Sequence, residues 1–269
     1  MPIRYIKACN YLIILLILSS CAAKKPAQPA FNADVYLNGI IVRIDTLTWV
    51  DSSRNRVIPL AIYNQISSTN IKYDLHQNIH KKLVILNPGY GGTRNDYGYI
   101  ANNLAGKGYL VVTIQHDLPT DDTLPRTGDV YKQRKPFWDT GVKNVLFVTA
   151  KLKKEFPGLD YNNIILIGHS NGGDIAMLIA NEYPKFAKIV ITLDNRRVPL
   201  PRSASPRVFS IRSGDQPADP GVLPSGQEQK KYKVRIVKIN TKHNDMGGMG
   251  TDAEKKEINT MINDYLDGQ

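Results

Sequence analysis

Asn163-Ile-Ile-Leu-Ile-Gly168-His-Ser170-Asn-Gly172-Gly173 is the stretch on which the fold turns. The aliphatic run Ile164 to Ile167 reads as a buried strand, because a strand covered on both faces shows no polar alternation. Gly168 and Gly172 bracket Ser170, and an amphipathic pattern continues to about Tyr183. The combination predicts strand, sharp turn and helix in immediate succession. Such a turn strains the Ser170 backbone and leaves no space for neighbouring Cβ atoms, which explains the flanking glycines.

Working outward, further strands are expected at 39–44, 57–63, 82–87, 109–114, 188–193, 207–211 and 233–239, as short apolar or β-branched runs bounded by turn residues. Helical spacing occupies 97–107, 138–156, 172–183, 224–231 and 252–266. Residues 118–136, rich in Pro, Asp and Thr, read as a loop. Strands alternating with helices imply an α/β fold: a mostly parallel, doubly wound sheet with helices on both faces. The link 195–206 is too short for a large cap domain, so the site beside Ser170 should be open, with the 118–136 loop as its only cover.

The N-terminal segment reads as a targeting signal. Arg4 and Lys7 precede the apolar run Tyr11 to Leu18, which is too short to span a bilayer. Leu18-Ser19-Ser20-Cys21 resembles the bacterial lipobox. That resemblance implies cleavage before Cys21 and a diacylglycerol on its thiol, which with further acylation holds a protein on a membrane without a spanning helix. The expected organisation is a signal peptide at 1–20, a tether at 21–34 and one domain at 35–269, in the bacterial cell envelope on the periplasmic side of the outer membrane. Loss of Arg4 and Lys7 takes the formal charge from +11 to +9. Cleavage also removes Cys9, so no disulfide is expected. The remaining cations are scattered and no nucleic-acid-binding motif accompanies them, which argues against nucleic acid as a partner.

A Gly-x-Ser-x-Gly run between strand and helix points to a serine nucleophile, Ser170, at the N-terminus of a helix whose dipole favours an approaching oxyanion. A hydroxyl needs a base, and the histidines are His76, His80, His116, His169 and His243. His76 and His80 lie in a polar stretch, His169 should point away from the site, and His116 follows a strand end. His243 stands just past the last strand, where the chain order Ser, acid, His places the base. For the acid, Asp194, Asp215 and Asp219 all follow strand ends on the correct edge, and spacing leaves the three open. The oxyanion hole requires two backbone N–H groups. Asn171 supplies one, and Tyr90 in Asn87-Pro-Gly-Tyr-Gly-Gly92 the other. With no phosphate loop and no Cys/His metal cluster, no cofactor or metal is expected. Arg196, Arg197 and Arg202 lie near the rim, as a solvated basic loop or a clamp for an anionic group.

The Gly168–Gly173 run, the Pro88–Gly92 loop and the late His243 resemble those of α/β-hydrolases. Asp51-Ser-Ser-Arg-Asn-Arg56 followed by Ile58-Pro-Leu-Ala-Ile-Tyr63 is similar to dienelactone hydrolase-like proteins and platelet-activating-factor acetylhydrolases. This resemblance covers the chain from about Gly39 onward. It implies a serine-dependent carboxylic ester hydrolase acting through an acyl-enzyme on a small-molecule ester. In the acetylhydrolases the acid lies in a Leu-Asp stretch with a Pro-Leu downstream; Leu193-Asp194 and Pro199-Leu200 match, which ranks Asp194 first. Asp219-Pro-Gly-Val-Leu-Pro224 resembles the acid loop of other hydrolases, so Asp219 and Asp215 stay in play. A thioester, amide or lactone as the scissile group, and a catalytically silent binding protein, are the alternatives.

Overall fold

The aliphatic run forms the centre of strand β6 (Asp160–His169), and helix α3 (Ser170–Glu182) begins at the very next residue. A computed structural model describes residues 30–37, 39–66 and 80–268. The signal segment, Cys21, the tether up to residue 29 and His76 lie outside the described residues. Before β6 come β1 (Ala30–Leu37), β2 (Ile40–Asp51), β3 (Arg56–Ile66), β4 (Lys82–Asn87), α1 (Gly98–Gly106), β5 (Leu110–Ile114) and α2 (Val130–Glu155). After α3 follow β7 (Ile189–Leu193), β8 (Arg207–Arg212), α4 (Gly226–Tyr232), β9 (Arg235–Lys238) and α5 (Asp252–Asp267).

The strands form a single sheet of order β1-β2-β3-β5-β4-β6-β7-β8-β9. Pairs β1–β2, β2–β3 and β3–β5 are antiparallel, and every pair from β5 to β9 is parallel. Within the parallel strands apolar residues alternate between two cores. Leu83, Ile85 and Leu166 face α2 and α3, whereas Val84, Leu86, Ile165 and Ile167 face α1 and α5. That double burial is why these strands read as unbroken apolar runs.

The winding positions the site. From β4 the chain runs outward through α1 to β5, then back through α2 on the opposite face to β6, which lies on β4's other side. Such a switch point opens a crevice at the carboxyl ends of the two strands, where ligands bind in open α/β sheets. Here it sets the Pro88–Gly92 loop beside Ser170.

The departures from expectation are largest at β1 and α2. Strand β1 (Ala30–Leu37) is not among the expected strands, the first of which is 39–44. Helix α2 begins at Val130, inside the segment expected to be loop up to Pro136. Pro136 removes one backbone donor, but it sits in the second turn, behind a cap in which Asp129 accepts from Lys132 N–H at 3.1 Å. Burial of Trp138 one half-turn later holds this end of the helix against the core.

The elbow tolerates no added volume. A Cβ on Gly172 would lie 2.1 Å from the carbonyl oxygen of Asn87 and 2.3 Å from that of Pro88. One on Gly168 would lie 2.3 Å from the carbonyl oxygen of Gly172. These contacts are with backbone, which cannot rotate aside. Gly172→Ala is therefore expected to lose about 3 kcal/mol of unfolding free energy or more, at the upper end of overpacking costs. Urea denaturation measures this; a loss under about 1 kcal/mol would show that the α3–β4 contact relaxes easily.

Candidate active site

Ser170 has a positive φ of 51°, a left-handed conformation that a serine adopts only under constraint. The constraint is the abrupt step from β6 into α3, and it aims the hydroxyl at His243. Ser170 Oγ lies 2.9 Å from His243 Nε2, and His243 Nδ1 lies 2.6 Å from Asp194 Oδ2. A carboxylate only accepts, so Nδ1 carries the imidazole proton and Nε2 presents a lone pair to the serine hydroxyl. His243 itself is buried, at the start of a short 3₁₀ turn, His243–Met246.

The three candidate carboxylates separate sharply. Asp194 is fully buried and meets the imidazole. Asp215 accepts the backbone N–H of His243 at 2.7 Å and so anchors the start of the turn rather than the ring. Asp219 is half exposed and pairs with Arg197 at 2.8 Å. Asp194 too has a left-handed backbone, φ 56°, at the end of β7. Buried Asp174 in α3 holds the next residues, accepting the N–H groups of Arg196, Arg197 and Val198 at 2.9–3.2 Å.

Burial alone would raise the Asp194 pKa, but the net shift is downward. The bond from His243, the Arg212 charge and the Ser213 hydroxyl and N–H together outweigh desolvation. Arg212 Nη2 lies 2.7 Å from Asp194 Oδ1, and Ser213 donates to Oδ2 from its hydroxyl at 2.8 Å and to Oδ1 from its N–H at 3.1 Å. Arg212 and Ser213, at and just beyond the end of β8, went unnoticed in the sequence. The only trace was a cation, Arg212, at the end of β8.

Asn171 follows Ser170 in the first turn of α3, and its side chain accepts from Trp138 Nε1 at 2.8 Å. On the Pro88–Gly92 loop, Gly89 N–H donates to Tyr97 Oη at 3.1 Å and Gly91 N–H to Asp117 at 2.8 Å. Between them, the Tyr90 N–H has no acceptor among the described residues. The Tyr90 hydroxyl accepts from Leu124 N–H at 3.1 Å, which ties this loop to the segment ahead of α2. His116 lies beneath the loop, its Nε2 2.9 Å from Asn87 Oδ1. Burial drives its pKa down to about 3, so it stays neutral. His169, expected to point away, packs beside His243 with ring centroids 4.7 Å apart. His80 is exposed, on the surface before β4. Arg196, Arg197 and Arg202 all engage protein groups: Gln216, Asp219, and the carbonyls of Leu200, Gly221 and Val222.

Residues 78–193 match the family described as serine aminopeptidase, S33. An α/β hydrolase from a Medee basin deep-sea metagenome library superposes with a TM-score of 0.54 at 15% identity, over 84% of this chain and 97% of that one. The chain has the α/β-hydrolase fold. Fungal esterases from Rhizomucor miehei share this fold with a TM-score of 0.57 at 11% identity, over 84% of this chain and 83% of theirs. A probable 1-alkyl-2-acetylglycerophosphocholine esterase of Arthroderma benhamiae is 30% identical over 115 residues. That match covers 39% of this chain and spans 29% of the length of the relative. The family match ends at Leu193, so Asp194 and His243 lie beyond it.

A cavity of about 900 Å³ opens on the α1 side of Ser170 and His243, walled by Tyr90, Tyr97, Tyr99 and Met249. Among the described residues no cluster of three or more His, Cys, Asp or Glu is arranged to hold a metal, and no helix is long and apolar enough to cross a membrane.

The Asp194 carboxylate has a pH signature. Its folded pKa is lowered, so the stability it contributes is present above the unfolded value, about 4, and is lost as pH falls through the folded value. Asp194→Asn leaves Arg212 buried and should cost about 3 kcal/mol at pH 7. The gap from wild type should narrow steadily below about pH 4. Urea midpoints across pH check this; a gap that is constant down to pH 2 would rule out an ionised Asp194.

Proposed function

We propose that this protein is a carboxylic ester hydrolase that works through an acyl-enzyme on Ser170. The observation that carries the reading is the continuous line from Ser170 Oγ through His243 to buried Asp194, at 2.9 and 2.6 Å. In the first step Oγ attacks the ester carbonyl while its proton passes to His243 Nε2. The resulting imidazolium, held by Asp194, then protonates the departing alkoxide, leaving the acyl group on Ser170. Water repeats the sequence, giving its proton to Nε2 and releasing the acid. The oxyanion of each tetrahedral intermediate is held by the N–H groups of Tyr90 and Asn171. Tyr90 N–H lacks a competing acceptor, and Asn171 N–H stands in the first turn of α3, where no intrahelical partner exists.

The substrate is a small-molecule ester entering through the cavity of about 900 Å³. The Arthroderma benhamiae relative is named as a probable 1-alkyl-2-acetylglycerophosphocholine esterase. That name supports short acyl esters. The site needs no metal or cofactor for this chemistry. The lipobox-like Leu18–Cys21 supports an enzyme tethered by lipid on Cys21 to the bacterial outer membrane, facing the periplasm.

A fluorophosphonate probe should label the wild-type protein at Ser170 and not Ser170→Ala, whose esterase activity should fall by about 10⁶-fold, as when triad serines are removed elsewhere. Asp194→Asn should lose about 10⁴-fold in kcat, while Asp219→Asn stays near wild type. Mass spectrometry of labelled peptides and p-nitrophenyl ester kinetics give both readings. Failure of the wild type to label or turn over any ester in a chain-length series would overturn the proposal. Separately, Cys21→Ser should abolish incorporation of radiolabelled palmitate in cells; undiminished incorporation refutes the anchor.

A further inference from the structure

Behind the base runs a second chain of hydrogen bonds. Gly89 N–H donates to Tyr97 Oη at 3.1 Å, Tyr97 Oη lies 2.6 Å from His169 Nδ1, and His169 Nε2 lies 2.9 Å from the carbonyl oxygen of His243. Tyr97 and His169 are 4% and 6% exposed, so most of each ring is enclosed by protein. The proton positions follow from the ends inward. The carbonyl of His243 can only accept, so His169 Nε2 bears a hydrogen. In a neutral ring Nδ1 then carries a lone pair, so Tyr97 donates to it. The tyrosine oxygen is left to accept from Gly89, whose N–H can only donate. Every link has a single allowed direction. Burial holds His169 neutral, with its pKa pushed down to about 3, and holds the Tyr97 phenol protonated, pushed up to about 12.

The two ends of this chain are the two halves of the site. Gly89 immediately precedes Tyr90 on the loop beside Ser170, His243 faces the nucleophile, and His169 sits between them as the residue before Ser170. The geometry points to Tyr97 and His169 as positioning residues that fix the distance between the oxyanion-binding loop and the base. They touch no reacting atom; they act through Gly89 and through the backbone of His243. Loss of the Tyr97 hydroxyl strands the Gly89 N–H and the His169 lone pair together. His169 can then hold the other tautomer, which sets its Nε2 lone pair against the His243 carbonyl and pushes the base away. This inference rests on the hydrolase reading only for its kinetic arm.

Tyr97→Phe keeps the ring and removes the hydroxyl. Turnover per fluorophosphonate-titrated site should fall by about 10²-fold, the scale expected for a misplacement of about 1 Å, with KM changed less than twofold. Titrating active sites removes any contribution from unfolded protein. Unchanged turnover per labelled site, with the wild type labelling normally, would overturn the relay and leave the hydrolase assignment intact. Absence of labelling in the wild type would instead overturn the assignment. The relay is then read independently, from ¹⁵N NMR of histidine-labelled wild-type protein between pH 5 and 9. His169 should appear throughout as the neutral Nε2–H tautomer and lose that fixed state in Tyr97→Phe. An Nδ1–H tautomer or a titrating His169 in the wild type would overturn the proposal.

Discussion

The close approach of α3 to the end of β4 is the constraint on which the rest of the molecule depends. Gly172 lies so near the Asn87 and Pro88 carbonyls that even a methyl group would overlap them. That contact brings together residues about eighty positions apart in the chain, the nucleophile on one side and the Pro88–Gly92 loop on the other. It is possible only because β4 and β6 are neighbours, which in turn needs α1 and α2 on opposite faces of the sheet. A backbone-to-backbone contact suits this role. Flexible side chains at the same place would adjust, and the loop's free N–H would drift relative to Ser170.

Electrostatics complete what packing begins. Asp194 carries a charge into a site with no exposure to solvent, and an isolated carboxylate there would take up a proton. Arg212 and Ser213 prevent this from the adjacent strand, because β8 pairs in parallel register with β7. Asp174 holds the following loop by its N–H groups, so the left-handed turn at Asp194 is fastened on both sides.

How much of this was legible depends on how local the cause is. Strands β4 to β8 were readable because burial on both faces writes itself as consecutive apolar residues. The elbow was readable because a strained serine needs its glycines within two positions. Helix α2 was read too short, since Pro136 looks like a terminator unless the cap at Asp129 and the buried Trp138 are weighed against it. The acid could not be settled by spacing. Asp194, Asp215 and Asp219 all follow strands on the same edge, and only three-dimensional packing sends one to the imidazole ring, one to the His243 backbone and one to Arg197. Tyr97, Arg212 and Ser213 belong to no motif, and His169 fills a variable place in one. They matter through partners more than seventy positions away, or on a neighbouring strand, and no local pattern encodes that.

The balance around Asp194 also sets the behaviour of the base. A carboxylate left without Arg212 would be too basic in this buried setting and would draw the Nδ1 proton toward itself. One neutralised completely by Arg212 would offer little to a protonated His243. The structure divides the carboxylate instead: Oδ1 faces Arg212, while Oδ2 faces His243 and the Ser213 hydroxyl. One oxygen is held ionised so that the other can orient the ring. The direction of every proton from Asp194 to Ser170 then follows from a single acceptor, and the Ser170 hydroxyl faces a lone pair rather than a competing donor.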